Sequence, residues 1–191
     1  MFDVYFQDDG SRQERYTPYS ANSGFYFVRN NDRTRLLFRH LLYSGDLIIK
    51  TRSHQQILIA MLAEHNSVSG LRVKVLSRDG EEFPSGYHYH SLRDTFMRKF
   101  VGGGTDSWIF HMCWTLNKDD KLKFLSQMGM WHVEDKCIGK EAGQISDGGK
   151  EIAEACCSAK PLTKCHYRDK PAIVDCSGSP PKDKNGRTWW K

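Results

Sequence analysis

The chain contains 191 residues, of which 39% are hydrophobic and 12% aromatic, enough for one folded domain around a single core. Charged residues make up 27% and the formal net charge is +5, which argues against an intrinsically disordered chain and against a dedicated polyphosphate-binding protein. No run approaches the roughly 18 consecutive apolar residues of a membrane span.

The first segments of the chain have the alternating pattern of strands. Residues 1–7 alternate like a core strand with no leader before them, so we expect that the chain is truncated. Turn residues cluster at 8–11 and again at 20–24. The second cluster leads into the alternating run 25–29, which predicts a second strand.

Two helices are predicted next. Asn31 and Asp32 form a capping signal before apolar residues at helical spacing, and Ser44-Gly45 ends the helix; the apolar residues are Leu37, Phe38, Leu41 and Leu42. Ser53 and Gln56 have capping-box spacing ahead of the apolar run 57–63. This second helix is therefore predicted to be deeply buried.

Strands and helices continue to alternate further along the chain. Residues 71–76 alternate as a strand, and Leu92, Phe96 and Phe100 have the spacing of a short helix. The apolar run 108–114 predicts a buried strand, and Asn117 caps a helix that follows it. Interleaved helices and strands predict an α/β fold.

Two short motifs in the middle of the chain could contact a ligand. Gly86 lies in an aromatic-flanked turn, 83–87, which suits close backbone approach to a ligand, although an ordinary turn is the simpler interpretation. His88 and His90 would share one face of an extended segment and could form a metal pair. We favour surface positions for both histidines.

His111 is the most informative single residue, because it is a polar side chain inside an apolar run. A core histidine bonded to a backbone carbonyl is the alternative interpretation. Lys121 follows on the predicted capped helix, and a strand-end histidine and a helix lysine can face one anionic ligand. Cationic groups and a divalent metal are what a diphosphate leaving group requires.

Cysteines are concentrated in the last third of the chain, where periodicity is lost. Cys113 lies upstream, and the others are Cys137, Cys156, Cys157, Cys165 and Cys176. Their spacing lacks a Cys-x-x-Cys motif, which favours disulfides in an oxidising compartment over zinc. We predict an irregular tail over 137–191. Trp189 and Trp190 lie in its Lys-rich end, for which a solvated tail is favoured over nucleic-acid stacking.

These motifs together resemble the nucleotide-diphospho-sugar transferase family that includes plant and algal arabinosyl- and xylosyltransferases. The resemblance extends from about Asp3 to Trp131, and its matching segments are 3–9, 22–29, 83–87, 111–114 and 121–131. It implies the C-terminal part of a GT-A-type mixed sheet flanked by helices, a transferase-like domain over 1–136 and Golgi-lumen or secretory localisation. The family's Asp-x-Asp motif and nucleotide-binding half would precede Asp3, as would any membrane anchor.

The resemblance also implies roles for individual residues. It gives donor-binding roles to Asn22, Ser23, Gly24, Gly86, His111 and Lys121, with His111 also a ligand of a divalent metal, Mn²⁺ or Mg²⁺. His54 and Gln55 occupy the place of the family's Asp-Gln pair and are the catalytic candidates. The implied partners are a nucleotide-sugar donor and a glycan or glycoprotein acceptor.

Two alternatives to a sugar transferase are kept. His54 replaces an aspartate of the family pattern, and Cys113 replaces an asparagine in the His-x-Asn strand end. These differences are the basis for a non-catalytic relative, a luminal or secreted glycan-binding or scaffold protein. The cysteines are the basis for a disulfide-rich secreted interaction domain, which would require all six to be paired.

Overall fold

A computed structural model describes residues 1–101, 104–115, 117–127, 130–145, 151–158, 165–167 and 172–174. The chain divides into two compact units. Unit 1 comprises residues 1–87 and 105–113, and unit 2 comprises residues 88–104 and 114–191. The predicted division into 1–136 and 137–191 stays a prediction.

Unit 1 is built on a mixed three-stranded sheet with the strand order β2-β1-β3. The central strand β1 (Val4–Asp8) pairs antiparallel with β2 (Ala21–Val28) and parallel with β3 (Val73–Val75). Val4 and Phe6 alternate along β1 and are fully buried. The strands predicted near residues 1–7, 25–29 and 71–76 are therefore confirmed.

Three helices follow β2 and supply the rest of the core of unit 1. Helix α1 (Asp32–Tyr43) begins after Asn31, whose side chain accepts from the Thr34 amide, and α2 (Gly45–Thr51) was not predicted. Helix α3 (His54–Ser69) is capped by the Ser53 side chain and buries most of its apolar run, as predicted. The core cluster includes Leu37, Ile57, Leu58, Ile59, Met61 and Leu62, and each buried side chain of this size contributes about 1.5–3 kcal/mol. Leu42, the last of the four apolar residues at helical spacing in α1, is exposed.

The turn predicted over 20–24 is wrong, because these residues belong to β2 apart from Ser20. The pairing of β1 with β2 moves from Phe6–Tyr26 directly to Gln7–Asn22, so residues 23–25 bulge out of the ladder. A bulge of this kind redirects side chains near a strand end. Turn-forming residues thus produced a local irregularity within a strand.

The buried strand predicted over 108–114 is also wrong. This segment makes one isolated bridge, between His111 and Ser85, and Trp108 is 78% exposed. The segment around its bridge partner Ser85 contains Pro84, which has no amide proton to donate to a β-ladder. The chain then enters helix α4 (Gly86–Ser91), so no regular pairing can continue.

Unit 2 contains several short helices and a hairpin. Beyond α4, a π-helical turn (Arg93–Met97) leads into α5 (Arg98–Val101), which confirms the helix predicted around Leu92 to Phe100. Helix α6 (Lys118–Gln127) is capped as predicted by the Asn117 side chain, which accepts from the Asp120 amide. Further along are α7 (Ile152–Cys156) and the hairpin of β4 (Cys165–Tyr167) and β5 (Ala172–Val174).

His88 and His90 do not form the extended pair that a shared metal requires. Both lie in α4, where residues two apart point in different directions. His88 is buried with its ring against Phe96, and the His90 ring lies against Phe124. Packing in unit 2 is the role that the structure gives both rings, so the predicted surface position is wrong for His88.

The disulfide of the described residues links Cys137 to Cys156. In the described part of the chain, Cys113 is a buried thiol and Cys157 an exposed thiol, which disfavours the interaction domain with all six cysteines paired. Trp189 and Trp190 lie outside the described residues, as does Cys176. Among the described helices, none has both the length and the apolar character needed to cross a bilayer.

Candidate functional site

The site in unit 1 is organised around the end of β1. Asp9 follows this strand and is buried, and its Oδ1 accepts hydrogen bonds from Asn22 Nδ2 at 2.8 Å and from Gln55 Nε2 at 3.0 Å. One carboxylate therefore ties together three segments: the strand end, the bulge in β2 and the first turn of α3. Hydrogen bonds to an ionised acceptor are stronger than those between neutral groups.

The side chains of Asn22 and Gln55 hold the bulge in β2 by accepting hydrogen bonds from its backbone amides. The Gly24 amide donates to Asn22 Oδ1 at 2.7 Å, and the Ser23 amide donates to Gln55 Oε1 at 3.1 Å. Both amides are thus bonded within the protein, and Asn22 is buried. We infer that Asn22 positions the bulge, which presents the Ser23 hydroxyl and the Gly24 backbone.

The two catalytic candidates occupy the first turn of α3. His54 Nε2 lies 2.8 Å from the Ser23 hydroxyl oxygen, and this hydroxyl also lies within hydrogen-bonding distance, 3.2 Å, of Gln55 Oε1. If the hydroxyl donates to Gln55, His54 Nε2 carries the proton that it donates to Ser23. The His54 side chain is exposed, which leaves it accessible to a substrate.

Gln7 fixes the orientation of the His111 ring. Gln7 Nε2 donates to the carbonyl oxygens of Phe83 and Pro84, at 2.9 and 3.1 Å. Gln7 Oε1 is therefore the acceptor in its 2.8 Å contact with His111 Nδ1, so Nδ1 carries a proton. In a neutral imidazole this leaves the lone pair on Nε2, the arrangement typical of metal-binding histidines.

Gly24 packs against the Nε2 edge of the same ring. A Cβ atom at Gly24 would lie 2.6 Å from His111 Cε1 and 2.8 Å from Nε2. Contacts below 3.0 Å are essentially never observed for a real Cβ atom. A residue without a side chain is therefore required at position 24. Gly24 and His111, both predicted to bind the donor, lie in direct contact with each other.

Gly86 approaches protein backbone closely. Its amide donates to the His111 carbonyl at 3.0 Å, and a Cβ atom at this position would overlap the Cys113 carbonyl group. The close approach predicted from the sequence therefore serves to pack the chain around His111. Direct contact of Gly86 with a donor stays a prediction.

The Cys113 thiol is a buried group beside the site. Burial raises the pKa of Cys113, the Asp9 carboxylate raises it further, and hydrogen bonds from the Gly86 and Tyr87 backbone oppose this increase. A thiol with a raised pKa stays neutral and is a poor nucleophile near neutral pH.

A metal at this site would need ligands beyond the protein groups that the structure describes. Within those residues, no set of three His, Cys, Asp or Glu side chains converges in the manner of a metal site. His111 Nε2 is suited to be one ligand, and oxygens of a bound diphosphate are suited to supply others. Lys121 lies half-buried on α6 in unit 2, and its contact with a diphosphate stays a prediction.

Gln7 and Asp9 are the residues of this site that sequence reasoning missed. Both are polar, and both lie at the end of a strand whose other alternate positions are apolar and buried. In a β-strand, Phe6 and Asp8 point to the face opposite Gln7. The signal available in the sequence was an amide side chain, Gln7, directly after the apolar run of the predicted first strand.

Comparison with known proteins agrees with this architecture. Residues 1–125 match the model of the nucleotide-diphospho-sugar transferase family. The chain belongs to this family, and the fold is the predicted α/β type, with a mixed sheet and flanking helices. No curated protein and no solved structure gives a significant match.

Proposed function

We propose that the protein transfers a sugar from a nucleoside diphosphate to a hydroxyl of a glycan or glycoprotein. The family membership supports a sugar transferase, a nucleotide-sugar donor and an acceptor. The observation that carries the proposal is the ring of His111, which Gln7 holds at Nδ1 and beside whose Nε2 edge Gly24 places no side chain. An imidazole held in one orientation beside a glycine leaves room for a phosphate oxygen, or a metal bound to phosphate, to reach the ring.

In the proposed reaction, the acceptor oxygen bonds to the anomeric carbon as the bond between that carbon and the diphosphate oxygen breaks. The diphosphate leaves with the electron pair, and the acceptor hydroxyl loses its proton. We propose that the exposed His54 accepts this proton at Nδ1, because its Nε2 faces the Ser23 hydroxyl. Gln55 is anchored by its bond to Asp9 and holds Ser23 through the Ser23 amide, and the Ser23 hydroxyl in turn contacts His54.

His111 and Lys121 are proposed to contact the departing diphosphate. We further propose Mn²⁺ or Mg²⁺ as cofactor, which would neutralise the charge that develops on the leaving group. The proposed location is the Golgi lumen or the secretory pathway, supported by the Cys137–Cys156 disulfide, since disulfides persist in oxidising compartments. The detailed sheet type, GT-A, is proposed on the same family basis.

Binding of nucleoside diphosphates tests this proposal before any acceptor is known. Calorimetry with UDP and GDP, each with and without Mn²⁺, should show metal-dependent binding to the full chain. His111→Ala should weaken that binding and lower donor turnover by about 10²–10³-fold. The matched control is His132→Ala, which removes an exposed imidazole from unit 2. Equal binding by the His111→Ala and control variants would contradict the proposal.

A non-catalytic glycan-binding or scaffold protein is the second candidate, favoured by one observation. The exposed group beside Ser23 is an imidazole, and a protonated imidazole cannot stabilise positive charge at an anomeric centre as a carboxylate can. Donor binding without turnover, followed by turnover in His54→Asp, would support this candidate. Turnover in the native chain that is lost in His54→Ala would support the transferase with His54 as base.

A further inference from the structure

A polar cavity lies at the carboxyl ends of the parallel strands β1 and β3. It has a volume of about 370 Å³, within the range of roughly 300–1,000 Å³ that is typical of small-molecule sites. Its walls come from the loop after β1, which includes Arg12 and Tyr19, and from the segment after β3, which includes Ser77, Arg78 and Asp79. Ligands of α/β sheets bind beyond the carboxyl ends of strands.

The charges around this cavity balance. Arg12 makes a two-point hydrogen bond to the Asp8 carboxylate, at 2.8 and 2.9 Å. Arg78 Nε lies 3.8 Å from an oxygen of Asp79. Each guanidinium group therefore has a carboxylate near it, and the lining is suited to a neutral ligand rather than to a polyanion.

The cavity also offers fixed donors and acceptors beside the Tyr19 side chain. Arg78 is held in place, because it donates to the Gly10 carbonyl at 3.2 Å and lies over the Tyr87 ring, 4.6 Å from its centroid. The lining adds the hydroxyls of Ser77 and Tyr19. A neutral polyol with donors and acceptors at every carbon matches such a mixed set, as small sites combine a few placed polar groups with aromatic side chains.

The cavity and the site around His111 share the end of β1. Asp8 lines the cavity, whereas the next residue, Asp9, bonds to Asn22 and Gln55. The last residue of β1 and the residue after it therefore supply one carboxylate to each location. We propose that the cavity binds a neutral sugar residue of the acceptor; the identification of that sugar as an acceptor rests on the proposed function.

Ligand-observed NMR tests binding without requiring activity. The probes are methyl glycosides of neutral pentoses and hexoses, with methyl glucuronide and inorganic phosphate as anionic comparisons. At least one neutral glycoside should show a saturation-transfer signal in the presence of the full chain. Ser77→Tyr, which fills the cavity, should weaken its binding by about ten-fold or more. Ser67→Tyr places the same side chain on the exposed face of α3 and should leave binding unchanged.

A second variant keeps the test valid if Ser77→Tyr does not fold. Asp79→Asn removes one carboxylate at an exposed position and should weaken the same glycoside by several-fold, with an unchanged urea midpoint. Binding of phosphate or glucuronide alone, or glycoside binding that both variants retain, would overturn the inference. Glycoside binding at the cavity in a chain that binds no nucleoside diphosphate would overturn the transferase proposal but leave a sugar site.

Discussion

The packing of Gly24 against His111 leads to a sharp prediction for Gly24→Ala. The added methyl group would lie 2.6 Å from His111 Cε1 and 3.0 Å from Asn22 Oδ1, whereas ordinary contacts begin at 3.4 Å. Neither neighbour can yield easily. The His111 ring is hydrogen-bonded to Gln7, and Asn22 is hydrogen-bonded to Asp9.

The size of the effect follows from this geometry. The ring must move by about 0.8 Å to restore a normal contact, and a misplacement of about 1 Å in an active site can cost roughly 10²-fold in rate. Overpacking of a well-filled site costs about 1–3 kcal/mol of stability. Gly24→Ala should therefore lower donor turnover about 10²-fold while the chain remains folded.

Two assays on the same preparations check this prediction. Turnover of the donor is measured by release of nucleoside diphosphate, and the free energy of unfolding is measured by urea titration. The matched control is Gly45→Ala in α2, where an added Cβ meets nothing within 4 Å and no positive φ is required. The control should retain full turnover and gain up to about 1 kcal/mol, because alanine favours a helix more than glycine does. Full turnover in Gly24→Ala would refute the assigned role of this contact.

Further predictions concern stability. Gln7→Met removes hydrogen bonds from buried carbonyl oxygens and from the His111 ring, so urea titration should show a loss of about 3 kcal/mol; a loss below 1 kcal/mol would contradict the fixed ring. Gly86→Ala should leave little soluble folded protein, since its Cβ overlaps backbone; native yield and circular dichroism provide the check. Burial and the adjacent His40 lower the pKa of His65, so the unfolded chain binds the proton more readily than the folded one. The free energy of unfolding should therefore fall as the pH drops from about 7 to about 5, and His65→Gln should reduce that slope; an unchanged slope would exclude His65 as its source.

Local signals in the sequence were sufficient for the helices and for the central sheet. Asn31 and Ser53 cap α1 and α3 as their positions predict, because capping depends on residues three apart in the chain. The strand predicted over 108–114 failed, since strand formation depends on a partner. The partner segment contains Pro84 and then turns into α4, which periodicity within 108–114 cannot reveal.

The candidate site could be predicted as a set of residues but not as a network. Its central contact, between Gln7 and His111, joins positions separated by 104 residues. Asp9 likewise joins the bulge at Asn22 to α3 at Gln55. Motifs identify residues one segment at a time, whereas the hydrogen bonds that orient His111 depend on three-dimensional convergence.

The two histidines of the site differ in how the fold constrains them, and this bears on whether activity can be lost without loss of folding. His111 is held through its ring by Gln7 and through its backbone by Pro84 and Gly86, so replacing it disturbs local packing as well as chemistry. His54 is exposed on the first turn of α3, where its Nε2 lies 2.8 Å from the Ser23 hydroxyl oxygen. Substitution at residue 54 therefore changes chemistry at little structural cost, which makes it the position where a transferase and a non-catalytic relative with the same fold would differ.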